Sequence, residues 1–174
     1  MGIPKTTVHS SGTLQNNVEL SNKSIETTTI SSLESPFVGE TGNIKEFILG
    51  DVHISIEQAS QLHKLFIDEY LPYLSIMFST SVVELYSQSK LLFWTVILTA
   101  CLSDPSPALY IKLSPLVKQL AIELCCLCTP RSTHLSQALT ILAIWPLPNQ
   151  KVLDDCSYRF INLAKSLSYQ LGLH

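Results

Sequence analysis

Apolar residues are densest between positions 91 and 102, where ten of the twelve side chains are apolar and no face of a helix would remain polar. A helix that is apolar on all sides must be surrounded by other structure. Twelve helical residues rise only about 18 Å, and a bilayer crossing needs roughly 20 residues, so protein rather than lipid should surround this helix. Thr95 and Thr99 can be buried at modest cost, because each hydroxyl can bond a backbone carbonyl one turn earlier. The pattern therefore predicts a central helix enclosed by other helices.

Capping signals predict where the neighbouring helices begin. Ser55 and Ser81 each precede a Gln or Glu by three residues, which is the form of a capping box. In that motif the serine hydroxyl accepts the hydrogen of a free amide in the first turn of the helix, and the later Gln or Glu side chain accepts the amide hydrogen of the serine. Helices should therefore start after Ser55 and Ser81, the first ending near Pro72 and the second near residue 88. Ser89 should cap the central helix.

Three more helices are predicted downstream. The first has Pro115 at its first position, where a missing amide costs nothing, and runs to residue 128. The second spans residues 133–145. The third runs from Asp154 or Asp155 as its cap to residue 171, with Gly172 as a left-handed cap. Because every apolar segment has a helical period and none alternates as a strand would, the predicted fold class is all-α, an array of antiparallel helices.

Residues 1–50 are predicted to be a disordered leader and residues 51–174 a helical domain. The leader is rich in Ser, Thr and Asn, and its apolar residues follow no period, although the patch 45–49 should dock as an extended piece. Three Lys against five acidic residues give the leader a charge of −2, and eight Lys or Arg against nine acidic residues give the domain −1. Neither part is basic, so the chain should not bind nucleic acid directly.

Composition indicates an intracellular protein with a dense core. The apolar share is 46% and the mean hydropathy is +0.27, although the leader is polar. The domain must therefore hold more apolar residues than a small body usually encloses. Five cysteines lie in apolar helical surroundings without a preceding secretory signal, which indicates reduced core cysteines. No membrane partner is expected, because no apolar run is long enough to span a bilayer.

No group of residues predicts catalysis or metal binding. Cys125 and Cys128 form a single C-x-x-C pair inside an apolar helix, whereas a structural zinc needs four ligands. The adjacent carboxylates of Asp154 and Asp155 are explained by the start of a helix. Motifs of nucleophilic hydrolases, zinc proteases and phosphate-binding loops are absent. The sequence therefore predicts no catalytic, metal-binding or DNA-binding residues.

Three residues in apolar helices form a candidate ligand or interaction surface: His63, Trp94 and Trp145. The tryptophans could line a pocket between helices, although aromatic residues in apolar helices usually belong to the core. His63 lies on the apolar side of the first helix. It is either an interior histidine whose hydrogen bonds are satisfied within the fold or a functional histidine. The sequence leaves both alternatives open.

Three stretches together resemble the fungal-specific transcription factor domain, the middle homology region that follows a Zn2Cys6 cluster in many fungal regulators. Residues 56–74 are similar to its opening helix with an aromatic and proline exit, and residues 90–101 to the apolar helix that follows. Residues 137–148, with the helix 162–174 that ends in Leu-Gly-Leu-His, are similar to its later part. The order and spacing of these stretches carry the resemblance, which covers about residues 52–174.

The resemblance implies a non-enzymatic regulatory domain that controls RNA polymerase II transcription in the nucleus. It implies as partners the rest of the same regulator or another protein, a second copy in a homodimer, and a small-molecule effector. A zinc cluster needs six cysteines, and the first cysteine here is Cys101, so zinc is expected only in a missing upstream cluster and this chain should hold no cofactor. Because the family's domain continues past Leu-Gly-Leu-His, the chain is expected to be a fragment or a variant. A stand-alone helical adaptor that binds a protein partner is the alternative hypothesis.

Overall fold

The computed structural model describes residues 45–74, 76, 79–104, 107–128, 132–149, 151 and 154–173, so the predicted leader up to residue 44 lies outside the described residues. In chain order the elements are β1 (Glu46–Leu49), β2 (Val52–Ser55), α1 (Ile56–Glu69), a 3-10 turn (Leu71–Tyr73), α2 (Val82–Gln88), α3 (Lys90–Ala100), α4 (Ala108–Ile122), a π-helical segment (Glu123–Cys128), α5 (Thr133–Ile144) and α6 (Ser157–Gln170). The described part is mostly helical, which confirms the main feature of the predicted class. Within it, no helix has the length and apolar character that crossing a membrane requires.

β1 and β2 form an antiparallel hairpin, so the prediction that no segment is a strand is wrong. Phe47 lies opposite Ile54 and Leu49 opposite Val52, and all four side chains are buried. Each strand has only four residues, too few for the alternation to stand out from the surrounding sequence. Gly50 turns the chain with a φ of +58°, a conformation that glycine adopts without steric cost. The extended patch expected at 45–49 is this first strand, within the segment predicted as leader.

α3 lies at the centre of the fold, and the prediction of an enclosed apolar helix is confirmed. All ten residues 91–100 are buried, and α1, α2, α4 and α5 pack around them. The Ser89 hydroxyl accepts the amide hydrogen of Leu92 at 3.2 Å, so the predicted cap is also confirmed. Each large apolar side chain enclosed in this way contributes about 1.5–3 kcal/mol to the free energy of unfolding.

The two buried threonines of α3 differ in their hydrogen bonds. The Thr99 hydroxyl donates to the Thr95 carbonyl at 2.9 Å, as the spacing predicts. No partner for the Thr95 hydroxyl is found among the described residues, so the prediction for Thr95 is wrong. Leaving a buried hydroxyl unsatisfied costs about 1–3 kcal/mol, which the apolar burial of the rest of α3 must offset.

α4 begins at Ala108, so the prediction that Pro115 opens a helix is wrong and Pro115 lies within α4. The Ser114 hydroxyl donates to the Tyr110 carbonyl at 2.6 Å in the turn that contains the proline. Leu113 and Val117, on either side of it, are fully buried. A proline inside a helix removes a backbone hydrogen bond, but the apolar face that continues past Pro115 favours a single helix.

α5 and α6 pack extensively against each other. α5 begins at Thr133 as predicted and ends one residue before the predicted position. α6 begins at Ser157 with Cys156 at its N-cap position, so the predicted cap at Asp154 or Asp155 is wrong. The Asp155 carboxylate, one position earlier, accepts the amide hydrogen of Ser157 at 2.9 Å. Gly172 follows α6 with a φ of +71°, which confirms the left-handed cap.

Candidate functional site

A pocket of about 440 Å³ lies between α1 and the start of α2. α1 contributes one wall, because its lining residues follow each other at spacings of three or four and so share one side of the helix. The segment leading into α2 and the start of α2 contribute the other wall. α1 and α2 contact each other, and the 3-10 turn at Leu71–Tyr73 follows α1 in the chain. The lining residues are Ile56, Ser60, His63, Lys64, Ile67, Thr80, Ser81, Val82 and Val83.

His63 is the candidate residue that the structure places in this pocket. Its side chain is only 3% exposed, and its imidazole forms a hydrogen bond with the backbone of Ser79. Burial lowers the pKa of His63 below its ordinary value, and the bond to Ser79 opposes this shift in part. A neutral imidazole therefore links the wall formed by α1 to the segment that leads into α2.

The capping pattern at Ser81 is a wrong prediction that bears on the pocket. Ser81 occupies the N-cap position of α2, but its side chain caps no amide. The Ser79 hydroxyl instead accepts the Ser81 amide hydrogen at 3.2 Å and donates to the Glu84 carboxylate at 2.5 Å. Because Ser79 makes these bonds, the Ser81 hydroxyl is left to line the pocket.

The floor and the rim of the pocket differ in polarity. Val82 is buried, and Ile56, Ile67 and Val83 are half-buried, so aliphatic groups form the inner surface. The exposed rim carries the Lys64 ammonium group and three hydroxyls, those of Ser60, Thr80 and Ser81. Sequence analysis did not identify Lys64 or these hydroxyls; the run of three hydroxyl residues at 79–81 before two valines was the available signal.

Trp94 lies in the core and does not line this pocket. Its side chain is fully buried in α3, and its ring packs edge-on against Phe93 with centroids 5.0 Å apart. No hydrogen-bond partner for the indole Nε1 is found in the described part of the chain. A fully enclosed residue without access to solvent cannot contact a ligand unless the fold opens, so the structural role applies to Trp94.

Trp145 lies at the end of α5 in an aromatic group and does not line the pocket that contains His63. Its ring packs edge-on against Tyr70 at 5.3 Å and lies 6.4 Å from Phe66. The Tyr70 hydroxyl in turn lies 2.7 Å from the Ser103 hydroxyl, which donates to the Glu69 carboxylate at 2.6 Å. This group joins the end of α1 to the ends of α3 and α5, and the three candidate residues therefore do not form one surface.

Metal and nucleophile chemistry find no support in the described residues. No group of three or more His, Cys, Asp or Glu side chains close enough to hold a metal ion is found among them. Burial raises the pKa of Cys101 to about 12, and the nearby Asp104 carboxylate adds to the shift. Cys125 is buried, while the side chain of Cys128 lies outside the described residues. A thiol with so high a pKa is a poor nucleophile and a poor metal ligand.

Comparison with curated proteins finds relatives in three yeasts. The chain is 68% identical over 148 residues to "Putative transcription factor SEF1" of Saccharomyces cerevisiae, covering 85% of this chain and 12% of that protein. It is 63% identical over 173 residues to the protein of the same name from Kluyveromyces lactis, and this match covers 98% of this chain and 15% of that protein. It is 61% identical over 137 residues to "Transcriptional regulatory protein SEF1" of Candida albicans, and this match covers 79% of this chain and 15% of that protein.

This chain is a homologue of proteins named as fungal transcription factors. It spans about one seventh of the length of these relatives. No protein-family model and no solved structure matches the chain. The transcriptional relationship predicted from the sequence is therefore supported, whereas the Zn2Cys6 middle homology assignment stays a prediction.

Proposed function

We propose that this chain is part of the regulatory domain of a fungal zinc-cluster-type transcription regulator and acts in the nucleus. The observation that carries the proposal is the identity of 61% to 68% with proteins named as transcription factors or transcriptional regulators. The enclosed helical body around α3 supports a domain that acts through its surfaces and not through catalysis. Its partners are the rest of the regulator, a second copy, and a small-molecule effector.

DNA recognition and zinc binding belong, in this proposal, to a separate part of the regulator. The chain carries a formal net charge of −3, which disfavours binding to a phosphate backbone. Its first cysteine is Cys101, so residues 1–100 offer no thiolate for a zinc cluster. We expect the chain alone to bind DNA weakly and without sequence preference. A specific complex with nanomolar affinity at physiological salt, measured by fluorescence anisotropy, would contradict this division of roles.

A tethering experiment tests the regulatory role. The full chain is fused to an unrelated DNA-binding module whose operator lies upstream of a reporter gene in yeast. The fusion should change reporter output relative to the module alone, and Leu92→Asp should abolish the change because it places a charge in the core around α3. Lys112→Ala, at an exposed position of α4, is the matched control and should behave as the parent fusion. Equal output from the fusion and the module alone would refute the proposal.

A stand-alone helical adaptor is a second candidate function, supported by the outer surface of α6. Tyr158 is 78% exposed and Tyr169 is 60% exposed, and their separation of eleven residues places them on one side of a helix. An adaptor should bind its partner whether or not it is tethered to DNA. Crosslinking in cells from position 158 of the unfused chain would capture a protein other than the regulator under this hypothesis, and at most the regulator or a second copy under the regulatory one.

A further inference from the structure

The pocket between α1 and α2 has the polarity of a binding site for an amphipathic anion. Its inner surface is formed by four aliphatic side chains, those of Ile56, Ile67, Val82 and Val83. Its volume of about 440 Å³ falls within the range of small-molecule sites, which are mostly apolar with a few placed polar groups. These surfaces would accept a hydrocarbon chain of several carbons.

Lys64 places one positive charge at the rim of this apolar surface. No ion pair of Lys64 is found in the described part of the chain, whereas His53 and Glu46 on the hairpin lie within ion-pair distance at 3.4 Å. Asp68 follows Lys64 by one helical turn, but no contact between the two side chains is found there either. The Lys64 ammonium group is therefore available to an anion from solution.

Two hydroxyls on the opposite wall can complete the recognition of an anion. No hydrogen bond of the Thr80 or Ser81 hydroxyl is found within the described residues, so both can donate to a bound acceptor. The Ser60 hydroxyl already donates its hydrogen to the Ile56 carbonyl at 2.7 Å, so it can only accept a hydrogen bond from a ligand. The donors are thus one ammonium group and two hydroxyls, a set that suits a carboxylate with two oxygens and one charge.

We propose that this pocket binds a small aliphatic carboxylate, with its tail against Ile67, Val82 and Val83 and its carboxylate at Lys64. Organic cations are disfavoured by Lys64, and a phosphate, which carries about −1.5 to −2 at pH 7, would keep up to half of its charge unpaired beside a single cation. The binding goes beyond the transcriptional role proposed above, although it would give that role an effector.

His63 acts in this site as a positioning residue. Its hydrogen bond with the Ser79 backbone holds the segment with Thr80 and Ser81 across from Lys64. The neutral imidazole adds no charge to the site, so the charge that attracts the anion comes from Lys64 alone. Loss of the imidazole should therefore weaken binding through the geometry of the opposite wall.

The binding test is a titration of the full chain with hexanoate, monitored by the methyl resonances of the pocket in NMR spectra. Hexanoate should bind with a dissociation constant of about 1 mM or lower, and should shift the methyl signals of Ile67, Val82 and Val83 but not those of Ile144 on α5. Acetate, which has the charge without the tail, and hexanamide, which has the tail without the charge, should each bind about tenfold more weakly.

Variants locate the charge recognition. Lys64→Met keeps an apolar stem of similar length and should lower hexanoate affinity about tenfold. Lys112→Met, at an exposed position of α4, is the matched control and should leave the affinity unchanged. Equal weakening by the two variants would identify a general charge effect and overturn the proposal. Equal affinities for hexanoate and hexanamide would also overturn it. So would the absence of methyl shifts up to about 20 mM hexanoate, a concentration twentyfold above the expected dissociation constant.

The titration is independent of the tethering experiment. It contains neither DNA nor a reporter, so failed binding would leave the transcriptional proposal intact. A silent reporter fusion would likewise leave the carboxylate site intact if hexanoate binds and Lys64→Met weakens the binding. The two proposals therefore fail separately.

Discussion

His63 and Cys101 are buried titratable residues whose chemistry follows from the surrounding apolar groups. Burial disfavours the charged form of each, so the pKa of the imidazole falls and that of the thiol rises. Sequence periodicity correctly placed both residues on apolar sides of helices. The contact of His63 with the Ser79 backbone could not be predicted, because no local pattern relates α1 to the segment that precedes α2.

The lowered pKa of His63 predicts a pH dependence of stability. An unfolded chain binds a proton at His63 as the pH falls through about 6.5, the ordinary value, while the folded chain does so only at lower pH. The contribution of neutral His63 is therefore fully present above pH 6.5 and decreases as the pH falls below it. Urea unfolding at several pH values gives the free energy of unfolding. Between pH 7.5 and pH 5 this free energy should decrease less for His63→Gln than for the parent chain. Equal slopes for the parent chain and His63→Gln would contradict the assignment.

The raised pKa of Cys101 predicts slow alkylation. At pH 8 a thiol with a pKa of about 12 is almost entirely protonated, and the thiolate is the reactive form. Iodoacetamide should therefore modify Cys101 at least about tenfold more slowly than Cys156, which is half-buried beside the start of α6. Peptide mass spectrometry measures both rates in one sample. In urea the rates should converge, and similar rates in the folded chain would show that Cys101 is accessible.

Among the elements, the starts of α1 and α3 were predicted correctly, whereas the start of α4 was not. Ser55 and Ser89 cap α1 and α3 with hydroxyls that accept the amide hydrogens of Gln58 and Leu92, each at 3.2 Å. Such caps depend on residues three positions apart, so the sequence contains the required information. Ser81 has the same sequence form, but its hydroxyl caps no amide. The Ser79 hydroxyl accepts the Ser81 amide hydrogen and donates to the Glu84 carboxylate, the two groups that bond each other in a capping box. A motif therefore predicts a cap only where no nearby side chain offers its residues another partner.

Ser89→Ala and Ser81→Ala form a matched pair that tests this difference. Removing the Ser89 hydroxyl should lower the free energy of unfolding by about 1 kcal/mol, since the Leu92 amide loses its partner. Removing the Ser81 hydroxyl should change it by less than about 0.5 kcal/mol, as an exposed group without a cap bond. Chemical denaturation measures both. A larger loss for Ser81→Ala would mean that its hydroxyl caps α2 in solution.

In the molecule as a whole, the β-hairpin is part of the core and not an appendage. The Phe47 ring of β1 lies 4.6 Å from that of Phe93 in α3 and 4.9 Å from that of Tyr86 in α2. These contacts join residues about 40 positions apart. The predicted domain start at residue 51 would exclude Phe47 and leave Tyr86 and Phe93 without this neighbour.

A comparison of two shortened chains tests the contribution of β1. A chain that starts at Asp51 should unfold with a free energy at least about 3 kcal/mol lower than a chain that starts at Lys45, because it lacks the fully buried Phe47. Phe47→Ala in the longer chain should reproduce most of the loss. Urea denaturation followed by far-UV circular dichroism is the measurement. Equal midpoints for the two chains would show that β1 does not stabilise the helices.

The sequence by itself determined the helical class, the enclosure of α3, the caps at Ser55 and Ser89, and the left-handed turn at Gly172. These depend on residues within one or two helical turns, so local spacing and conformational preference suffice. The tertiary structure alone decided the hairpin, the continuation of α4 through Pro115, and the pocket that places Lys64 opposite Thr80 and Ser81. The pocket depends on contacts between segments that are distant in sequence. The strands of the hairpin are neighbours joined by the turn at Gly50 and Asp51, but the packing of Phe47 against Tyr86 and Phe93 is what makes the hairpin part of the core. The apolar face of α4 on both sides of Pro115 outweighs the local preference of proline for the start of a helix.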